Sequence, residues 1–344
     1  MRQRIIIHAG FAKCGSASIR TALFQNFREL HKHGVFVFDK DLRIARTAAD
    51  LVGTPIWSLE EARKRSENLT QRLADEIASV IKRKTYHLAI LSAENLANPG
   101  MNELFAGLDS QFEVSVIFYL RPQLQWIPSA WKQWGLKEGV PLSDFVSQCI
   151  DAYMPSFKLA IDAWKSALPT GKVDVRFLIP ELLQQGNPVQ DFFDLIGLAK
   201  EAYDVENEPR NPSLDVSILH VLSKNPHLFS GVHDNSLPLG LTRALSKKFR
   251  SKNIQMLSPE QEAAIEKCFR DENLWLLKTY CRDVDVDRIY QTHFTPQEAE
   301  TRYSSMTDID LIYRCLGIIL ESIAFSGDQY TTDENKLARQ SYSL

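Results

Sequence analysis

Gly10 and Gly15 bracket the tetrapeptide Phe11-Ala12-Lys13-Cys14, directly after the β-branched run Ile5-Ile6-Ile7. Ile19, Leu23, Phe27 and Leu30 then recur at helical spacing up to Gly34. A buried strand that enters a glycine turn and then a helix offers backbone N–H groups and a helix N-terminus to an anion. Lys13 adds a cation inside the turn, and Ser16 and Ser18 add hydroxyl donors where the helix begins. The same residues also fit a plain structural turn with a serine N-cap. A triphosphate-binding loop of the form G-x-x-x-x-G-K-[ST] has its lysine directly after the second glycine. Here Ser16 holds that place, and the only nearby lysine is Lys13.

Strands alternating with helices must carry this turn. "YHLAILSAENL" (86–96), "FEVSVIFYLR" (112–121) and "KVDVRFLI" (172–179) read as strands, as does the short run from Val35 to Phe38. Helical patterns run through Leu69, Leu73, Ile77 and Ile81, from Leu124 to Trp134 with Pro128 expected to kink or delay the helix, and over 157–168. Strand–helix alternation predicts an α/β fold with a central parallel sheet flanked by helices. From about residue 210 the pattern turns mostly helical, at 214–223, 241–250, 259–280 and 307–324, and the polar stretch after Ser326 reads as a frayed tail. Arg121 ends the strongest strand, where open parallel sheets bind ligands.

Composition narrows the function classes. The 44% apolar and 24% charged content is that of an ordinary globular protein, and a net charge of −3 argues against a nucleic-acid partner. Five scattered cysteines without a C-x-x-C pair predict neither a disulfide framework nor a zinc site and suit a reducing compartment. No apolar run is long enough for membrane insertion or a signal segment, so a cytoplasmic location is expected. The sequence carries no signal for oligomeric state.

The stretch H-x-G-x-x-K-x-G-S-x-S (8–18) resembles the 5′-phosphosulfate loop of sulfotransferases that use 3′-phosphoadenylyl sulfate (PAPS). "YLRPQLQWIPSAWKQW" resembles that family's 3′-phosphate motif, an arginine ending a strand with a serine eight residues on, here Arg121 and Ser129. "ALFQNFRELHKHGVFV", "LSAENL", "NPVQDFFDLIGL", "RNPSL" (210–214) and "FRDENLWLLKTY" (269–280) are also similar to family segments, so the resemblance spans roughly residues 4–283. It departs from the usual K-T-G-S/T-T-S at Cys14 and Ala17, and Ala17 removes one hydroxyl.

The resemblance implies a P-loop NTPase-like sulfotransferase fold over about 1–290, with an α/β core to about 205 and a helical part after it, then a C-terminal helix and tail over 291–344. It implies a donor cradle of Lys13, Cys14, Gly15, Ser16, Ala17 and Ser18, a 3′-phosphate site of Arg121 and Ser129, and no required metal. In-line sulfuryl transfer to a hydroxyl, on a small molecule or a glycan, would yield 3′-phosphoadenosine 5′-phosphate. Lys13 would stabilise the leaving phosphate, Glu94 would be the base and His8 its rival. Asn211 and Ser213 would close over the nucleotide. Trp126, Trp131 and Trp134 are expected in the core, with an acceptor cleft as the sharper alternative. The competing functions are a non-catalytic binding protein of the same fold and a P-loop nucleotide kinase.

Overall fold

The computed structural model describes residues 2–82, 85–198, 214–245, 254–299, 301–320 and 322. In chain order the regular elements are β1 (Arg4–Ala9), α1 (Ser16–Gln25), α2 (Phe27–Lys32), β2 (Val35–Val37), α3 (Ile56–Lys64), α4 (Thr70–Ile81), β3 (Leu88–Ala93), α5 (Leu108–Gln111) and β4 (Glu113–Leu120). There follow α6 (Gln123–Gln133), α7 (Leu142–Asp151), α8 (Phe157–Ala167), β5 (Lys172–Phe177), α9 (Pro188–Leu195), α10 (Val216–Ser223), α11 (Ser236–Ala244), α12 (Pro259–Tyr280), α13 (Val286–His293) and a helix α14 over 308–320.

The five strands form one parallel sheet in the order β2-β3-β1-β4-β5. This is the α/β architecture that the strand–helix alternation predicts. Residues 5–9 of β1 and all of β3 are buried, as expected of strands covered by helices on both faces. Their register pairs His8 with Ser92 and Ala9 with Ala93, so polar side chains of neighbouring strands share a face. The order turns about β1: the chain leaves β1 toward β2 and leaves β4 toward β5. Such a reversal opens a crevice beyond the C-terminal strand ends.

The chain divides into two compact units assembled from separate segments. The first comprises residues 1–126, 153–208 and 268–294 and contains the sheet. Its buried Asp191 on α9 pairs with Arg176 of β5 and accepts the Tyr119 hydroxyl at 2.8 Å, tying helix to sheet. The second comprises residues 127–152, 209–267 and 295–344, so it takes 127–152 from within the stretch that the sequence reading assigned to the α/β core. In it, buried Trp131 donates to the Val140 carbonyl at 2.8 Å, and Asp215 caps α10 while accepting two bonds from Arg314 of α14, at 2.9 and 2.6 Å. Asn211, Ser213 and the polar tail lie outside the described residues. No helix among the described residues is long and apolar enough to cross a membrane.

Candidate functional site

Three chemistry-bearing residues leave three adjacent parallel strands at the same sheet edge. Lys13 follows β1, Glu94 directly follows β3 and Arg121 directly follows β4. The turn after β1 is shaped by close approach and by unusual backbone angles. A Cβ on Gly10 would lie 2.3 Å from Ser16 Oγ and 3.0 Å from the Ala93 carbonyl, and the Gly10 N–H donates to that carbonyl at 3.0 Å. Gly15 has φ +85°, and Lys13 itself has φ +63°, a left-handed conformation that is strained for a residue with a side chain.

The helix that starts here, α1, has no side-chain cap: Gly15 is its N-cap, and the first turn contains no acidic residue. Ser16 is buried, and its hydroxyl has no partner among the described residues. Uncapped N–H groups and an unused buried hydroxyl are what an anion at a helix N-terminus would satisfy. Ala17 is exposed and Ser18 half-buried in the same turn, Ser18 bonding its backbone N–H to the Gly15 carbonyl at 3.1 Å.

The charges converge on this turn. The backbone N–H of Lys13 donates to Glu94 Oε1 at 3.3 Å, which anchors a half-buried carboxylate beside the loop. Burial lowers the Lys13 pKa; the Glu94 carboxylate opposes that shift and the Arg121 guanidinium adds to it. Arg121 is therefore an electrostatic neighbour of Lys13. Its backbone N–H also bonds the Cys14 thiol, which burial pushes up to about 12. Cys14 is fully buried, so its side chain fastens the loop to the exit of β4, and only its backbone remains for a ligand.

His8 is placed differently. It is fully buried, its Nδ1 lies 2.8 Å from Ser92 Oγ, and its ring packs at 5.8 Å against Tyr119 and 5.6 Å against Phe192. Burial, with help from the Arg20 charge, lowers its pKa to about 3. A ring so enclosed and so weakly basic does not suit proton abstraction from an acceptor near neutral pH.

Seven of the ten residues singled out in the sequence, Lys13 to Ser18 and Arg121, thus belong to the turn or touch it, with Glu94 as their carboxylate neighbour and His8 beneath. Ser129 is half-buried on α6 and belongs to the second compact unit. Two residues have roles at the loop that the sequence does not show. Trp126 is buried, as expected of a core residue, but its indole N–H donates to the Ala12 carbonyl at 2.8 Å and so braces the loop. Arg20, on the first turns of α1, donates to the carbonyls of Leu51 and Gly53, and its guanidinium interacts with Glu94 and His8. An arginine one turn after the loop serines is the only sequence signal for it.

The chain matches no protein-family model and no curated protein.

Proposed function

We propose that the chain is a PAPS-dependent sulfotransferase with a P-loop-like fold that moves a sulfuryl group to a hydroxyl, on a glycan or glycoconjugate. The observation that carries this reading is the meeting of Lys13, Glu94 and the Arg121 charge around the uncapped start of α1. The donor supplies an activated sulfuryl group joined to its 5′-phosphate. The loop N–H groups and Lys13 bind that phosphate and neutralise the charge that grows on it as its bond to sulfur breaks. Glu94 takes the proton released when the acceptor oxygen bonds to sulfur. Arg121 binds the 3′-phosphate, for which a guanidinium is a suited donor. Water is kept from the leaving group by the buried floor of His8, Ser92 and Cys14.

Calorimetric titration with 3′-phosphoadenosine 5′-phosphate against ADP tests the donor class. The bisphosphate should bind the wild type, and ADP should not. Lys13→Ala and Arg121→Ala should each weaken that binding at least about tenfold, the usual scale for losing a charge-assisted contact. Magnesium–ADP binding as tightly as the bisphosphate would instead point to a kinase. Ala17, which leaves the first turn of α1 without the family's usual hydroxyl, favours a second reading as a binding protein without transfer. In that case the bisphosphate binds, but no acceptor consumes PAPS.

A further inference from the structure

The helix α14 carries apolar residues on two opposite faces. Leu311, Cys315 and Ile318 are buried, and Arg314 ties this side to Asp215. On the other side Ile309, Ile312, Tyr313, Leu316, Ile319 and Leu320 are each between 41% and 70% exposed. At 3.6 residues per turn these six fall within an arc of about 120°, the width of a stripe that normally faces a core. Ile309, Ile312, Leu316 and Ile319 stand at alternating three- and four-residue intervals, the seam spacing of paired helices, and the sequence continues it with Ile323. Single exposed apolar residues are ordinary, but a contiguous stripe is not.

We propose that this stripe is a self-association surface, on which α14 of one chain packs against α14 of a second copy across a two-fold axis. An isologous contact needs a patch that is complementary to itself, and a seam of isoleucine and leucine with one tyrosine meets that need. The area is adequate. Six side chains at roughly 100 Å² apiece give about 600 Å² per partner before flanking residues are counted, close to the roughly 800 Å² a side of a stable interface. The sequence over 326–344 is polar, with Tyr330, Leu337, Ala338, Tyr342 and Leu344 as its apolar residues, and does not continue the seam spacing. A lipid surface is disfavoured by charge. The charged residues of 308–320 are Asp308, Asp310 and Arg314, and the arginine is engaged by Asp215. Membrane-lying helices are instead rich in lysine and arginine. The proposal is independent of the sulfotransferase reading.

Sedimentation equilibrium of the full chain over a concentration series tests it, with circular dichroism as a check on folding. The wild type should be a dimer that dissociates on dilution. Ile312→Asp with Leu316→Asp should weaken association at least about a hundredfold, because two charges would be buried in an apolar seam. Leu316→Lys alone serves as a second variant should the double one unfold. Trp57→Asp, which alters an exposed apolar residue on α3, should change nothing. A wild type that stays monomeric at high concentration overturns the proposal, as does a dimer that survives the folded α14 variants. Flotation of a monomeric wild type with phosphatidylcholine–phosphatidylserine vesicles would overturn it in favour of lipid.

Discussion

Replacing His8 by Gln tests the assignment of the sheet interior as a closed floor. The fold holds the His8 ring neutral down to about pH 3, whereas in the unfolded chain it protonates near 6.5. Between those values the unfolded state binds more protons than the folded one. Stability is therefore undiminished above pH 6.5 and is lost as the pH falls toward 3, with no further loss from this group below that. The slope is about 1.4 kcal/mol per pH unit, so the full window is worth roughly 5 kcal/mol, and lowering the pH from 6.5 to 4.5 costs about 2–3 kcal/mol. Other groups titrate in the same range, so the informative quantity is the difference between wild type and His8→Gln in urea unfolding at each pH. At pH 7 the variant should be the less stable, having lost a buried contact to Ser92 and repacked against Tyr119 and Phe192. On acidification the two curves should converge by about 2–3 kcal/mol by pH 4.5. Parallel curves would refute the reasoning: the ring would then titrate in the fold as it does in water, and His8 would return as a candidate base.

Three further outcomes follow from the loop. Gly10→Ala sets a methyl group against Ser16 Oγ and the Ala93 and Glu94 backbone, and should cost about 1–3 kcal/mol in urea unfolding and weaken bisphosphate binding. Trp126→Phe removes the donor to Ala12 and leaves a smaller ring in a buried place, so it should cost about 1–3 kcal/mol and lower bisphosphate affinity severalfold, read by calorimetry. Because burial lowers the Lys13 pKa and an anion favours the charged amine, bisphosphate affinity should fall as pH rises through that lowered value, by up to about tenfold per unit; Lys13→Arg, which stays charged, should flatten the titration.

The strands were legible in the sequence because their burial leaves little else: β1, β3 and β4 are nearly continuous apolar runs, followed at once by Gly10, Glu94 and Arg121. The loop was legible for the same reason, since Gly10 and Gly15 are required by a close approach and a left-handed angle. Helix boundaries were less so. The apolar series from Ile19 to Leu30 predicts one helix, but Asn26 stops it: its side-chain amide donates to the Ala22 carbonyl at 2.9 Å, and α1 and α2 separate there. The expected delay at Pro128 does not occur, because α6 runs from Gln123 through the proline to Gln133. The helix expected over 241–250 is found at Ser236–Ala244, with 246–250 outside the described residues. Trp126 and Arg20 were illegible as site residues because their roles depend on partners far away in the chain. A tryptophan in an apolar helix looks like core until its indole is seen to reach Ala12, 114 positions earlier.

Arg20 also separates the two candidate bases. Its positive charge disfavours a proton on His8, and the Glu94 carboxylate in turn favours the charged guanidinium against its burial. Its donors to the Leu51 and Gly53 carbonyls fix the cation in place, so it cannot swing to relieve either neighbour. A single cation thus adds to the burial that keeps one group neutral within the sheet and gives the other, anchored to the Lys13 N–H, an oppositely charged neighbour at the sheet edge. Arg20→Gln should lift the His8 pKa, although burial still holds it below its ordinary value, so the acid loss of stability should level off at a higher pH and be smaller in total. The measurement is the same urea series against pH. A loss that levels off at the same pH as in the wild type would mean that burial alone sets the His8 pKa.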